Sequence, residues 1–201
     1  LAVRIAATLT FEAISHRLAA IEALQFERVG KTIGVNAIAI AAHGASAETY
    51  RAVVFKIANE TDRHLLLLCE DPDVLAPAVE AVADRRPLLV AATQSHAEAI
   101  AALAVQHGLP LVIRASGLEA TTALAAQVAA NDAKDLLLDP RPATPAEAVG
   151  LLTQLRRLAL EHRAAEAGYP SYVDVALLMT DESDPDARAS REMALGLSLI
   201  M

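Results

Sequence analysis

The feature that most constrains this chain is a repeating unit: a short apolar run, a small or polar break, then a stretch with helical periodicity. It is clearest at Asp84 to Thr93, Asp-Arg-Arg-Pro-Leu-Leu-Val-Ala-Ala-Thr, where a charged turn feeds a proline and the apolar run ends in small and polar residues. Runs of the same kind stand at Leu65 to Cys69, Leu88 to Ala92, Leu111 to Ile113 and Leu136 to Leu138, spaced roughly 23 to 25 residues apart. A strand that is apolar at every position is buried on both faces, as in a parallel sheet covered by helices. Parallel neighbours joined through a helix take right-handed crossovers, so the unit predicts successive strand-helix pairs.

Read in order, Leu1 to Leu9 predict a first strand and Thr10 the cap of a helix running through Arg28, with Ile14, Leu18, Ile21 and Leu24 on one face. Gly30 to Gly34 turn the chain into a strand at Val35 to Ala42. Ser46 caps a helix to Asn59, and His64 to Cys69 form the next strand. Asp71-Pro72 open a helix, with proline in the first turn and the acid at the positive end of the dipole. A helix from Ser95 to His107 is stopped by Gly108, and Pro110 to Ala115 and Asp135 to Asp139 are strands on either side of a helix from Gly117 to Asn131. Pro145 starts a long helix with Val149, Leu152, Leu155 and Leu158 in its stripe. Tyr172 to Met179 predict a seventh strand, and Asp186 to Met201 a last helix. Seven such units over residues 1–201 predict one α/β domain, a (β/α)8 TIM barrel truncated to about seven βα units; an open doubly wound sheet is the alternative. That alternative wants Gly-x-Gly-x-x-Gly after the first strand, and the sequence has none. Leu1 is not an initiator methionine and Met201 falls within a helical run, which reads as a fragment.

Composition excludes several classes. The 54% hydrophobic content supports a substantial core, and a formal net charge of −8 argues against a nucleic-acid partner. Aromatics are 3% and tryptophan is absent, so a stacking platform for bases or sugars is disfavoured. The single cysteine, Cys69, forms no internal disulfide, cannot supply four thiolates, and reads as a small apolar residue at a strand end. No run has the length of a membrane span and no cationic signal leads the sequence, which predicts a cytoplasmic protein without a membrane partner.

Barrel sites are built from the loops that follow the strands. The residues there are Thr8, His43, Glu70, Asp71, Thr93, Gln94, Ser116, Asp139, Arg141, Thr180 and Asp181. Asp71 and Ser95 read first as helix caps. Asp139 ends a buried strand, where a carboxylate must meet a donor or a ligand. Glu70, Gln94 and Asp139 are the candidates to hold a ligand at the rim, and no catalytic residue is assigned. Gly30-Lys31-Thr32 lacks the upstream glycine and following helix of a phosphate loop. No His-Glu-x-x-His or Gly-x-Ser-x-Gly occurs, His64 and His107 fall at the opposite rim, and Asp181, Glu182, Asp184 and Asp186 lack calcium-loop spacing. No metal site is predicted.

Phe26-Glu27-Arg28-Val29-Gly30, the Asp84 to Thr93 run, His107-Gly108 with Pro110-Leu111-Val112, Leu138-Asp139-Pro140, Arg156-Arg157-Leu158-Ala159 and Gly168-Tyr169-Pro170 together resemble the barrel domain of the corrinoid iron-sulfur protein large subunit. That is the gamma subunit of the acetyl-CoA decarbonylase/synthase (CO dehydrogenase/acetyl-CoA synthase) complex. The chain departs from it after Asp139-Pro140, where Arg141-Pro142-Ala143-Thr144-Pro145 replace a glycine-containing run. The resemblance implies a methyl carrier of the reductive acetyl-CoA (Wood-Ljungdahl) pathway of carbon fixation, moving a methyl group from a methyl-tetrahydropterin to acetyl-CoA synthase. It implies a corrinoid (cobalamin) and an iron-sulfur cluster in the full-length protein, bound by domains outside this sequence, with no cofactor on the chain itself. The implied partners are the small subunit, in a heterodimer, a pterin methyltransferase and acetyl-CoA synthase, with the barrel a scaffold and docking domain and not itself catalytic. A pterin-binding methyltransferase barrel with its own rim site is the competing enzyme reading. A sugar-phosphate barrel enzyme is a third, and would want a glycine-rich phosphate loop near the last strands.

Overall fold

A computed structural model describes residues 2–179 and 183–200. The sheet has six strands, β1 (Ala2–Ala6), β4 (Ala37–Ala41), β5 (His64–Leu68), β6 (Leu88–Ala92), β7 (Leu111–Arg114) and β8 (Leu136–Asp139), in that spatial order. Five helices alternate with them: α1 (Phe11–Ala23), α2 (Ala47–Glu60), α3 (Pro72–Val82), α4 (Ala97–His107) and α5 (Leu118–Ala129). Then α6 (Pro145–Glu161) and α7 (Pro185–Ile200) follow β8. Apart from an inserted hairpin, each strand pairs with the next one in the sequence. A doubly wound sheet instead reverses direction at a switch point, so the open alternative is rejected.

The chain divides into two compact units, one of residues 1–111 with 133–135, the other of residues 112–132 with 136–201. In the first, β1, β4, β5 and β6 run parallel, in a register that aligns Ile5 with Ile40, Ile40 with Leu67 and Leu67 with Leu89. All four side chains are fully buried. The helices start where the sequence predicts. The hydroxyls of Thr10 and Ser46 accept from the amides of Ala13 and Thr49, and the Asp71 carboxylate accepts from Asp73 N at 2.9 Å. Helix α4 differs from expectation, opening at Ala97 with His96 before it and no side-chain cap. Ser95 instead shares a hydrogen bond with Thr93, which takes its oxygen away from the helix amides. Gly108 ends the helix at φ +63, a left-handed conformation that glycine adopts without strain.

The charged turns at the entrances to the strands are anchors. Arg85 donates to the carbonyls of Ala58, Thr61 and Arg63, so it satisfies the exposed end of α2 and the approach to β5. Arg63 forks onto Glu22 at 2.7 and 2.8 Å and also donates to the Val35 carbonyl. Glu22 is therefore held below the ordinary carboxylate value of 4.5, chiefly by its hydrogen bond from Arg63. A carboxyl depressed in the folded state contributes stability that is present above about pH 4.5 and lost as the pH falls through its folded value. Half of the Glu22 side chain is exposed, so the amplitude stays under about 1 kcal/mol. Urea midpoints measured downward from pH 5 should fall less steeply in Glu22→Gln than in the parent chain.

Two further sequence expectations are corrected. Helix α1 ends at Ala23, not Arg28, and Leu24 is 60% exposed instead of joining the buried face. The residues beyond it form an antiparallel hairpin of β2 (Gln25–Arg28) and β3 (Lys31–Gly34). Val29 and Gly30, with φ of +51 and +69, close it as the tight turn that suits twisted strands. The seventh strand at Tyr172 to Met179 is also absent. A single bridge joins Ser171 to Leu138, with Leu138 N donating to Pro170 O and Tyr172 N to Leu138 O, both at 2.8 Å. Residues Val175–Leu178 then wind into a 3-10 turn. Among the described residues the sheet has six strands and a one-residue bridge where the seventh is expected.

Candidate functional site

The rim residues do follow the strands, and each unit holds its own set. In the first unit, Thr8, His43, Glu70, Asp71, Thr93 and Gln94 lie beyond the C-terminal ends of β1, β4, β5 and β6. Glu70 and Gln94 are exposed and follow two neighbouring strands. Asp71 is a helix cap, its carboxylate engaged with Asp73 N. In the second unit, Ser116, Asp139 and Arg141 follow β7 and β8. Thr180, Asp181 and Glu182 lie outside the described residues. Asp184 accepts from Asp186 N at 3.2 Å at the start of α7.

The most developed polar constellation is that of Asp139, which is 3% exposed. Its Oδ2 accepts from Arg114 Nε at 2.7 Å, and its Oδ1 accepts from the backbone N of Arg141 at 2.9 Å. The second contact holds Arg141 at φ +51, a left-handed conformation that costs a non-glycine residue. The two loops are also tied through backbone, Ala115 N to Asp139 O and Gly117 N to Pro140 O, at 3.2 and 2.9 Å. Fully buried Thr121 donates back to the carbonyls of Ala115 and Gly117. Both carboxylate oxygens of Asp139 are therefore engaged inside the chain, and the group works as a clasp between two strand-end loops. Arg114 is the residue that sequence reasoning missed. Its signal is a cation closing the apolar run Leu111-Val112-Ile113, where only a buried partner makes the charge tolerable.

Cys69, at the end of β5, is buried, and its thiol donates to Asp71 O at 3.4 Å. Burial pushes its pKa up, which withholds the nucleophilic thiolate. Reaction with a disulfide reagent at pH 8 should run at least ~10-fold slower than for a free cysteine peptide, and should speed up only across the urea unfolding transition. Among the described residues, no three His, Cys, Asp or Glu side chains are placed to hold a metal ion. No helix among them is long and apolar enough to cross a membrane.

Residues 1–185 match the family described as CO dehydrogenase/acetyl-CoA synthase delta subunit. The chain is 38% identical over 170 residues to the corrinoid/iron-sulfur protein large subunit of Moorella thermoacetica, covering 85% of this chain and 38% of that protein. It is 31% identical over 186 residues to the acetyl-CoA decarbonylase/synthase complex subunit gamma of Methanopyrus kandleri, covering 90% and 40%. The chain thus spans about two fifths of the length of these curated relatives. Among solved structures it is similar to dihydropteroate synthase from Thermus thermophilus, at a TM-score of 0.69 and 17% identity, covering all of this chain and 82% of that one. The Xanthomonas albilineans dihydropteroate synthase in complex with 7,8-dihydropteroate aligns at 0.66 and 15%, covering 98% and 81%. This likeness is one of fold, that of the TIM barrel.

Proposed function

Because the chain belongs to the CO dehydrogenase/acetyl-CoA synthase delta subunit family, we propose that it is the barrel domain of a corrinoid iron-sulfur methyl carrier. The whole protein would take a methyl group from a methyl-tetrahydropterin and deliver it to acetyl-CoA synthase. In this reading the barrel is scaffold and docking domain, working beside a small subunit and a pterin methyltransferase. The observation that carries it is the 38% identity to a corrinoid/iron-sulfur protein large subunit across 85% of the chain.

The chemistry of the site agrees with a scaffold. The carboxylate best placed to bind a ligand, Asp139, has both oxygens engaged by Arg114 and the Arg141 amide. One cysteine cannot supply the four thiolates of an iron-sulfur cluster. The donor set of this chain therefore does not fit that cluster. The relatives are more than twice as long, and their remaining length is where the reading places the cluster and the corrinoid.

Two measurements test it. Co-expression with the small subunit of a corrinoid iron-sulfur protein should yield a one-to-one complex by sedimentation. Calorimetric titration of the folded chain with methyl-tetrahydrofolate should give no saturable heat. Micromolar binding of the pterin, abolished by Glu70→Gln or Gln94→Ala at an unchanged thermal midpoint, would instead favour a methyltransferase barrel with its own rim site.

A further inference from the structure

The hairpin of β2 and β3 is the least self-sufficient part of the chain. Residues 25–33 are all exposed, yet a lone pair of four-residue strands is marginal in water unless something packs on it. Its register pairs Phe26 with Ile33 and Arg28 with Lys31, and the period-2 alternation of a strand puts these four residues on one face. Gln25, Glu27 and Thr32 take the other. Phe26 is 59% exposed and Ile33 42%, with Leu24 beside the base of the hairpin and Val29, 95% exposed, at its tip.

The tip adds a second anomaly. A turn with φ > 0 at both central positions favours Asn or Asp before Gly. In this hairpin that place is held by a β-branched residue, Val29 at φ +51, for which the left-handed region is a steric outlier. An apolar residue is kept strained and bare at a tip where asparagine would be relaxed and hydrated. Nothing described in the chain repays that arrangement, and residues held this way concentrate where something is bound.

We propose that the Phe26, Ile33, Arg28 and Lys31 face of the hairpin, with Val29, docks a partner protein whose surface carries an apolar patch flanked by carboxylates. The charge pattern selects this occupant. Among the described residues neither Arg28 nor Lys31 is ion-paired, and both stand on the apolar face, whereas Glu27 stands on the other. In a chain of net charge −8 this is a local basic surface. A second copy carries the same −8 and is repelled over distance, so it suits this face less well than an acidic partner. The inference deepens the proposed function, since it rests on the chain being one subunit of a larger assembly.

The test uses the small subunit as its probe. The chain is titrated with it by calorimetry, at about 50 and about 300 mM salt, as wild type, R28E/K31E, F26S and the opposite-face control E27Q/T32A. Wild type should bind more weakly at the higher salt. R28E/K31E and F26S should each lose about 30-fold in affinity with an unchanged thermal midpoint, and the control should bind as wild type does. Equal binding by wild type and R28E/K31E overturns the docking face and leaves the proposed function standing. Failure of the folded wild-type chain to bind the small subunit overturns the assembly reading and this face with it. Two further results also overturn the proposal. One is a dimer of the chain, seen by sedimentation, that R28E/K31E dissolves. The other is hydrogen-exchange protection of residues 25–33 in the full-length protein without any partner.

Discussion

Arg114→Ala should lower the stability of the chain by about 3–5 kcal/mol, seen as a lower urea midpoint at an unchanged m-value. The size follows from what the substitution leaves behind. The Asp139 side chain is 4% exposed and that of Arg114 11%, so water cannot take over the guanidinium's place at Oδ2. An ion buried without its partner retains its whole desolvation penalty, which exceeds what the intact pair contributes. The double variant R114M/D139N separates the two effects. The methionine fills the volume, the asparagine leaves no charge behind, and its carbonyl oxygen can still accept from Arg141 N. It should therefore lose less than Arg114→Ala alone, although it removes more of the native pair. If Arg114→Ala costs no more than about 0.5 kcal/mol, the amount expected of a surface change, then Asp139 is not clasped and is again available as a rim ligand.

That pair also marks the limit of what could be read from the sequence. The strands β5 to β8 were legible because a parallel strand covered on both faces is apolar without interruption, and such runs as Leu65 to Leu68 or Leu111 to Ile113 need no partner to be recognised. Caps such as Thr10, Ser46 and Asp71 were legible for a similar reason, their hydrogen bonds reaching only two or three residues along the chain. Asp139 stands out in the sequence, but its meaning depends on Arg114, which is 25 residues earlier and meets it through tertiary structure. The hairpin was hidden by phase. Gln25 to Arg28 continue the helical spacing of α1 and lack β-branched residues, and the turn that separates them from Lys31 is Val-Gly, without the asparagine or aspartate that would have announced it. The expected seventh strand failed for a different reason. Tyr172 to Met179 has the composition of a strand, but only Ser171 bridges to β8, and the apolar residues after Asp174 wind into a short turn. Composition proposes a strand, and the pairing geometry beside it decides whether one forms.

Leu67→Ala should cost about 3–5 kcal/mol, the upper part of the range for such truncations, because its surroundings cannot close the gap. Leu67 is fully buried and in register with Ile40 on one side and Leu89 on the other, and Ile5 extends the row through β1. Each of these side chains is fixed by a backbone that is hydrogen-bonded to parallel neighbours, so collapse into the cavity would require strands to shift against one another. For a chain of this size the loss corresponds to a fall in Tm of about 6–15 °C. Two companions grade the effect. Ile40→Val removes one methylene from the same row and should cost about 0.5–1.5 kcal/mol. Leu66→Ala truncates the adjacent residue, which the strand's alternation points to the other face and which is only half-buried, so its loss should be clearly smaller. Comparable losses at Leu66 and Leu67 would mean that the aligned row is not the tighter-packed side of the sheet. A larger loss at Leu66 than at Leu67 would mean that strand β5 is offset by one residue from the pairing of Leu67 with Ile40 and Leu89, since a one-residue slip exchanges the two faces.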